Sequence, residues 1–161
     1  SERVREAIFS ALGDVEGMKV LDLYCGTGAL GIESISRGAA SAVLVDRDTR
    51  PAMGNVHNLG LTGEIELIRA ESTDWITLAP AGAFDHVFLD PPYRTATQVA
   101  ELLDPQLGRL LTPGGRVVAE SDNRGPLEFP SLDMVRERRY GRTVVTFHRA
   151  PSPSQEKTPA E

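Results

Sequence analysis

Residues 19–38 read KVLDLYCGTGALGIESISRG, and the fold turns on how they divide. KVLDLYC is a β-prone apolar run, Gly26-Thr27-Gly28 supplies a tight turn, and a helix follows from about Ala29 to Arg37, closed by Gly38. Gly26, Gly28 and Gly31 satisfy G-x-G-x-x-G, and Asp46 stands 20 residues after Gly26, where an acid meets a ribose in nucleotide-binding βαβ units. Taken alone, this fits a nicotinamide dinucleotide as well as other nucleosides.

The alternation continues on both sides. Residues 2–12 place Val4, Ile8, Ala11 and Leu12 at helical spacing before Gly13. After the motif come a strand at 41–46, a helix at 49–59 with Ala52, Met53, Val56 and Leu59 on one face, and a strand at 64–69 alternating as a sheet edge does. A short helix at 74–78 and a strand at 84–90 follow, then a long amphipathic helix over 95–111 with Val99, Leu102, Leu103, Leu107, Leu110 and Leu111 on its stripe. The turn TPGG (112–115) launches a strand at 116–121, and runs at 134–139 and 142–148 form a hairpin around Tyr140-Gly141. The expected fold class is α/β: a mostly parallel central sheet with helices on both faces and a C-terminal antiparallel hairpin, in one domain over 1–150. The proline-rich tail 151–161 is read as disordered.

With 161 residues, 40% of them apolar, the chain can bury a core, and no apolar run reaches the roughly 18 residues of a membrane span. The first residues lack the pattern of a signal peptide. The single cysteine, Cys25, requires no oxidising compartment, so the cytoplasm is the default. A net charge of −6 argues against a nucleic-acid partner until its distribution is considered: between 134 and 150, Arg136, Arg138, Arg139, Arg142 and Arg149 stand against Glu137 alone. Arginines on the solvent face of strands would produce the same pattern.

Ligands of such sheets lie outside the carboxyl ends of the strands, which here hold Asp22 to Gly28, Asp46, Glu71 with Ser72, and Asp90 to Tyr93. Asp22, four residues before Gly26, would repel a diphosphate on the helix N-terminus and suits an ammonium or sulfonium group. S-adenosylmethionine (SAM) is such a ligand, and VLDLYCGTGALGIES resembles motif I of the Rossmann-like SAM-dependent methyltransferases. The candidate cofactor residues are Asp22, Tyr24, Gly26, Thr27, Gly28, Asp46, Arg47, Glu71, Ser72 and Asp90.

Asp90-Pro91-Pro92-Tyr93 follows the apolar fourth strand. An amino group conjugated to an aromatic base is a poor nucleophile, and acceptors around its N–H groups orient it and stabilise the positive charge that develops during transfer. The Asp90 carboxylate and the Pro91 carbonyl supply acceptors, the prolines stiffen the loop, and the Tyr93 ring can stack on an extruded base. D-P-P-Y resembles motif IV of the amino-methyltransferases, which implies Asp90, Pro91, Pro92 and Tyr93 as the catalytic set. Trp75 is expected to pack and Cys25 to fill space; His57, His86 and His148 show no ligand spacing, so no metal is expected.

RVREAIFSAL at 3–12, the motif I run, FDHVFLDPPY and LLTPGGRVVAES together resemble the RsmD-type 16S rRNA guanine-N2 methyltransferases over nearly the whole chain up to about residue 149. The resemblance implies methylation of one guanine of small-subunit (16S) ribosomal RNA, with the small ribosomal subunit as partner and neither DNA nor membrane. A monomer is expected, with Arg94, Arg136, Arg138, Arg139 and Arg142 as candidate phosphate contacts. Relatives usually carry a Gly- and Arg-rich segment before the leading helix, and none precedes Ser1 here. SAM binding is therefore expected to persist with weakened engagement of RNA. Alternatives are adenine-N6 or protein-glutamine methylation, or a SAM-binding domain without catalysis.

Overall fold

In the computed structural model, which describes residues 1–152, Lys19–Leu23 (β1) lies in the middle of the sheet and is buried from its second residue on. Its alternate residues serve two cores. Val20 packs with Leu44 and Phe88 on one side, and Leu21 and Leu23 pack with Val87 and Leu89 on the other. A parallel strand covered on both faces reads as a continuous apolar run, which is why KVLDLYC shows no polar alternation.

The elements follow in the order α1 (Glu2–Leu12), β1, α2 (Ala29–Ser36), β2 (Ser41–Asp46), α3 (Arg50–Asn58), β3 (Ile65–Arg69), α4 (Ser72–Trp75) and β4 (Phe84–Leu89). A 3-10 turn (Tyr93–Thr95) leads into α5 (Ala96–Leu110), β5 (Leu111–Asp122), β6 (Asp133–Tyr140) and β7 (Thr143–Arg149). Seven strands form one sheet in the order β3-β2-β1-β4-β5-β7-β6. Pairing is parallel from β3 through β5, and β7 runs antiparallel to both β5 and β6. The chain leaves β1 in one direction to build β2 and β3 and in the other to build β4 and β5. The crevice between the ends of β1 and β4 is thus the switch point at which such sheets bind ligands.

One core holds Val4, Ile8 and Phe9 of α1 with Ala52 and Val56 of α3. The other holds Ile76, Leu103, Leu107 and Leu110 with Leu127, Phe129 and Leu132 from the β5–β6 connection. That connection is fixed from beneath: the buried Asp104 accepts the Ser131 hydroxyl proton at 2.6 Å and its N–H at 3.1 Å.

Four local expectations change. The short helix begins at Ser72 rather than 74, because Glu71 is already its N-cap. The TPGG turn lies inside β5 as an extended bulge: Leu111 pairs with Phe84 and Arg116 with His86, leaving 112–115 opposite Asp85 alone. Gly115 is required there, since a Cβ would stand 2.8 Å from the Asp85 carbonyl oxygen. In α3 only Ala52 and Val56 reach the sheet, so Met53 and Leu59 are exposed. Leu102 of α5 is also exposed, and it lines a cleft described below. Tail residues from 153 on, read above as disordered, lie outside the described residues.

Candidate active site

The loop after β1 is held by backbone conformations that its sequence permits. Tyr24 takes a left-handed φ of 58°, Gly26 one of 55° and Gly28 one of 81° as N-cap of α2, and the Gly28 N–H closes the turn on the Cys25 carbonyl at 2.8 Å. The glycines have different tasks. A Cβ on Gly26 would meet open space, whereas one on Gly28 would meet Leu44 Cδ2 at 2.8 Å and one on Gly31 would meet Leu44 Cδ1 at 2.5 Å. Gly28 and Gly31 let α2 lie against β2, and Gly26 leaves the loop open. Gly28 is accordingly absent from the cleft lining that Gly26 and Thr27 share.

Two acids anchor this loop. Asp22, only 3% exposed, accepts the Gly31 N–H at 3.2 Å and so caps the first turn of α2, which has no side-chain cap of its own. Asp46 accepts the Gly26 N–H at 2.9 Å and the Asp48 N–H at 3.0 Å. Burial pushes the Asp22 carboxyl well above the usual carboxylate range, opposed by the Gly31 hydrogen bond and reinforced by the charges of Asp90, Glu120 and Asp46.

Three clefts meet at Asp90. The first, about 610 Å³, runs past Asp46, Ser72 and Tyr93 to Leu102. Across it Arg47 Nε pairs with Glu71 Oε1 at 2.7 Å, linking the ends of β2 and β3. The second, about 230 Å³, contains Asp22, Gly26 and Thr27, with Arg5 of α1 on its wall. The third, about 580 Å³, opens on the other side toward Tyr93, Glu120, Asp122, Arg124 and Arg142. Pro91 lines the first and third clefts, and Pro92 lines the first and gives its carbonyl to the Thr95 N–H at 3.1 Å. Tyr93 is 60% exposed between the first and third clefts, with the Arg124 guanidinium 5.0 Å from its ring centroid.

Burial raises the Asp90 carboxyl above its usual range. Burial and the charge of Asp90 push Glu120 up to about 7. Cys25 is buried in the core as a filler, its thiol pushed up to about 12 by burial and the charges of Asp22 and Asp46. Trp75 packs against the core beside α5, and His86 and His148 are buried away from the clefts.

The basic residues divide. Arg142, in the β6–β7 turn, reaches the third cleft and lies 3.7 Å from Asp122. Arg136, Arg138 and Arg139 lie exposed along the edge strand β6, and Arg94 is exposed in the 3-10 turn. Sequence reasoning passed over Glu120 and Arg124. The rule that ligands lie beyond the strand ends, carried on to the fifth strand, would have found Glu120; Arg124 sits in an irregular loop that carries no such signal.

The family described as "Conserved hypothetical protein 95", the RsmD family of rRNA methyltransferases, matches residues 1–149. The chain belongs to this family. Among relatives, "Putative rRNA methyltransferase YlbH" of Bacillus subtilis is 33% identical over 92% of this chain and 85% of its own length. "Ribosomal RNA small subunit methyltransferase D" of Haemophilus influenzae is 30% identical over 91% of this chain and 78% of its own. A solved structure from Streptococcus pyogenes superposes with a TM-score of 0.78 at 33% identity, covering 90% of this chain and 94% of that one.

This member of the RsmD family is a SAM-dependent methyltransferase, and its residues fit that cofactor. Asp22 and Asp90 give the second cleft carboxyl groups whose ionised forms a sulfonium and an ammonium would favour and a diphosphate would not, with Ser1 and Arg5 also in the lining. Ser72 is 1% exposed, and its buried hydroxyl, in the wall of the first cleft, has no hydrogen-bond partner among the described residues, so a nucleobase edge there could complete it.

Proposed function

We propose that this chain methylates the exocyclic N2 of a guanine in small-subunit 16S ribosomal RNA. The observation that carries the reading is the place of Asp90, among the described residues the one carboxylate common to all three clefts. A donor seated along the first two clefts and a base entering by the third would meet beside it. Names of relatives as small-subunit rRNA methyltransferases support the substrate class.

In this reading Asp46 receives the ribose hydroxyls, Arg47, Glu71 and Ser72 flank the adenine, Tyr24 lies between them and Asp90, and Asp22, Gly26 and Thr27 receive the amino-acid end. Bound SAM would supply a methyl group on a sulfonium, which the N2 lone pair would take while the C–S pair stays on sulfur, and the surplus N2 proton would pass to the Asp90 carboxylate that accepts its hydrogen bond. Asp90 and the Pro91 carbonyl accept the N2 hydrogens and hold the lone pair toward the donor, offsetting the charge that develops. Tyr93 stacks on the extruded base. Arg94, Arg136, Arg138, Arg139 and Arg142 contact phosphates, Arg142 nearest the cleft. We place the protein in the cytoplasm as a monomer, working through one domain over residues 1–150.

The test is incubation with methyl-labelled SAM and small ribosomal subunits lacking the modification, followed by digestion to nucleosides. Label in N2-methylguanosine is expected; label in methyladenine or in protein would overturn the reading.

A further inference from the structure

We propose that Glu120 selects guanine, its carboxylate accepting N1–H and one N2–H of the target base in the cleft beyond Asp90. The inference rests on the function proposed above and adds the group that tells the base apart.

Strands β4 and β5 pair with Phe88 opposite Val118, and Asp90 and Glu120 each lie two residues further along. Because side chains alternate with period two, Glu120 follows Val118 on one face of β5, and both acids stand at the carboxyl ends of adjacent strands. They line two clefts together. No hydrogen bond or ion pair engages the Glu120 carboxylate among the described residues, although Asp122, two residues on, is paired with Arg124 at 2.8 Å and Arg142 at 3.7 Å. In the third cleft Arg124 and Arg142 thus lie against Asp122, and in the second the Ser1 ammonium and Arg5 share the lining without forming an ion pair to Glu120, which leaves Glu120 as an acceptor facing the space that Tyr93 borders. Its carboxyl titrates near neutrality, so donors on a bound base would draw it into the ionised form.

An ionised carboxylate is acceptor-only with two oxygens. Guanine presents N1–H and the N2 amino group side by side as donors: one Glu120 oxygen takes N1–H, the other shares an N2–H with the Pro91 carbonyl, and the second N2–H is left for Asp90. Adenine offers a lone pair at N1, which would face a carboxylate oxygen across the cleft, and a site built for a donor rejects a base lacking it.

The test uses small subunits rebuilt with 2,6-diaminopurine at the labelled guanine position. That base keeps the N2 amino group and replaces N1–H with an acceptor. The wild-type chain is expected to methylate guanine at least about tenfold faster than diaminopurine. Glu120→Gln, whose amide both donates and accepts, is expected to lose or invert that preference in reactions run at saturating SAM, with SAM affinity read separately by calorimetry. Glu120→Asp keeps a carboxylate and should keep the preference at a lower rate.

Equal wild-type rates on the two bases overturn the inference even if no variant folds. So does a Glu120→Gln chain that retains the wild-type ratio, or one whose defect is confined to SAM affinity. Absence of N2-methylguanosine from the wild-type reaction is a different failure: it removes the function reading, and this inference with it.

Discussion

Glu120 and Asp90 stand side by side in a site that must also admit a cation, and the cost of that arrangement is measurable without substrate. Burial, and then the charge of Asp90, push Glu120 from its ordinary 4.5 to about 7. The folded chain therefore holds this proton more tightly than the unfolded chain does. The stability it contributes is complete below about pH 4.5 and is lost as pH rises through about 7. Glutamine cannot titrate, so the melting temperature of Glu120→Gln minus that of wild type should rise between pH 5 and pH 8. Thermal unfolding at stepped pH reads this directly, and a flat difference would contradict it. At this scale the sequence put Asp22, Asp46 and Asp90 at the strand ends, and the structure gathers them at the clefts. Glu120 stands near the end of RVVAES, where the strand-end rule points to it, but only the pairing of Phe88 with Val118 sets it beside Asp90.

Elements take their positions from a few close approaches, of which α2 against β2 shapes the loop after β1. Leu44 is fully buried, and a Cβ on Gly31 would stand 2.5 Å from its Cδ1. Gly31→Ala would gain about 1 kcal/mol of helix propensity. Overpacking against Leu44 costs about 1–3 kcal/mol and disturbs the N–H that Asp22 accepts. The expected outcome is a melting temperature that does not rise despite the gain in helix propensity, and weaker SAM binding, with a favourable coupling when Leu44→Ala is added in a double-mutant cycle; a cycle without coupling would contradict the close packing. The identity of these elements could be read from periodicity. Their edges could not: nothing in ESTDW shows that Glu71 caps the helix, and TPGG reads as a free turn although Asp85 ties it into the sheet, accepting the Thr112 hydroxyl at 2.7 Å and the Lys19 N–H at 2.8 Å. Leu102 joins the apolar stripe of α5 in sequence yet faces the first cleft, because cleft walls and cores draw on the same side chains.

Across the whole molecule, strand order does what the linear sequence cannot display: it brings residues 22, 46, 90 and 120 to one end of the sheet. Alternation of strands and helices made a parallel sheet legible, but not that β7 would insert between β5 and β6 and so leave β6 as the edge. That insertion also divides the basic cluster, turning Arg142 toward the third cleft while Arg136, Arg138 and Arg139 line the edge strand. The central claim concerns this architecture: donor and acceptor spaces are separate clefts that share Asp90. The measurement that tests it most directly is the Asp90→Ala chain, assayed in parallel for SAM affinity by calorimetry and for methyl transfer to unmodified small subunits. The account predicts transfer reduced by about a hundredfold or more, with SAM affinity held within a few-fold. Retained turnover, or a loss of transfer explained wholly by lost SAM binding, would contradict it.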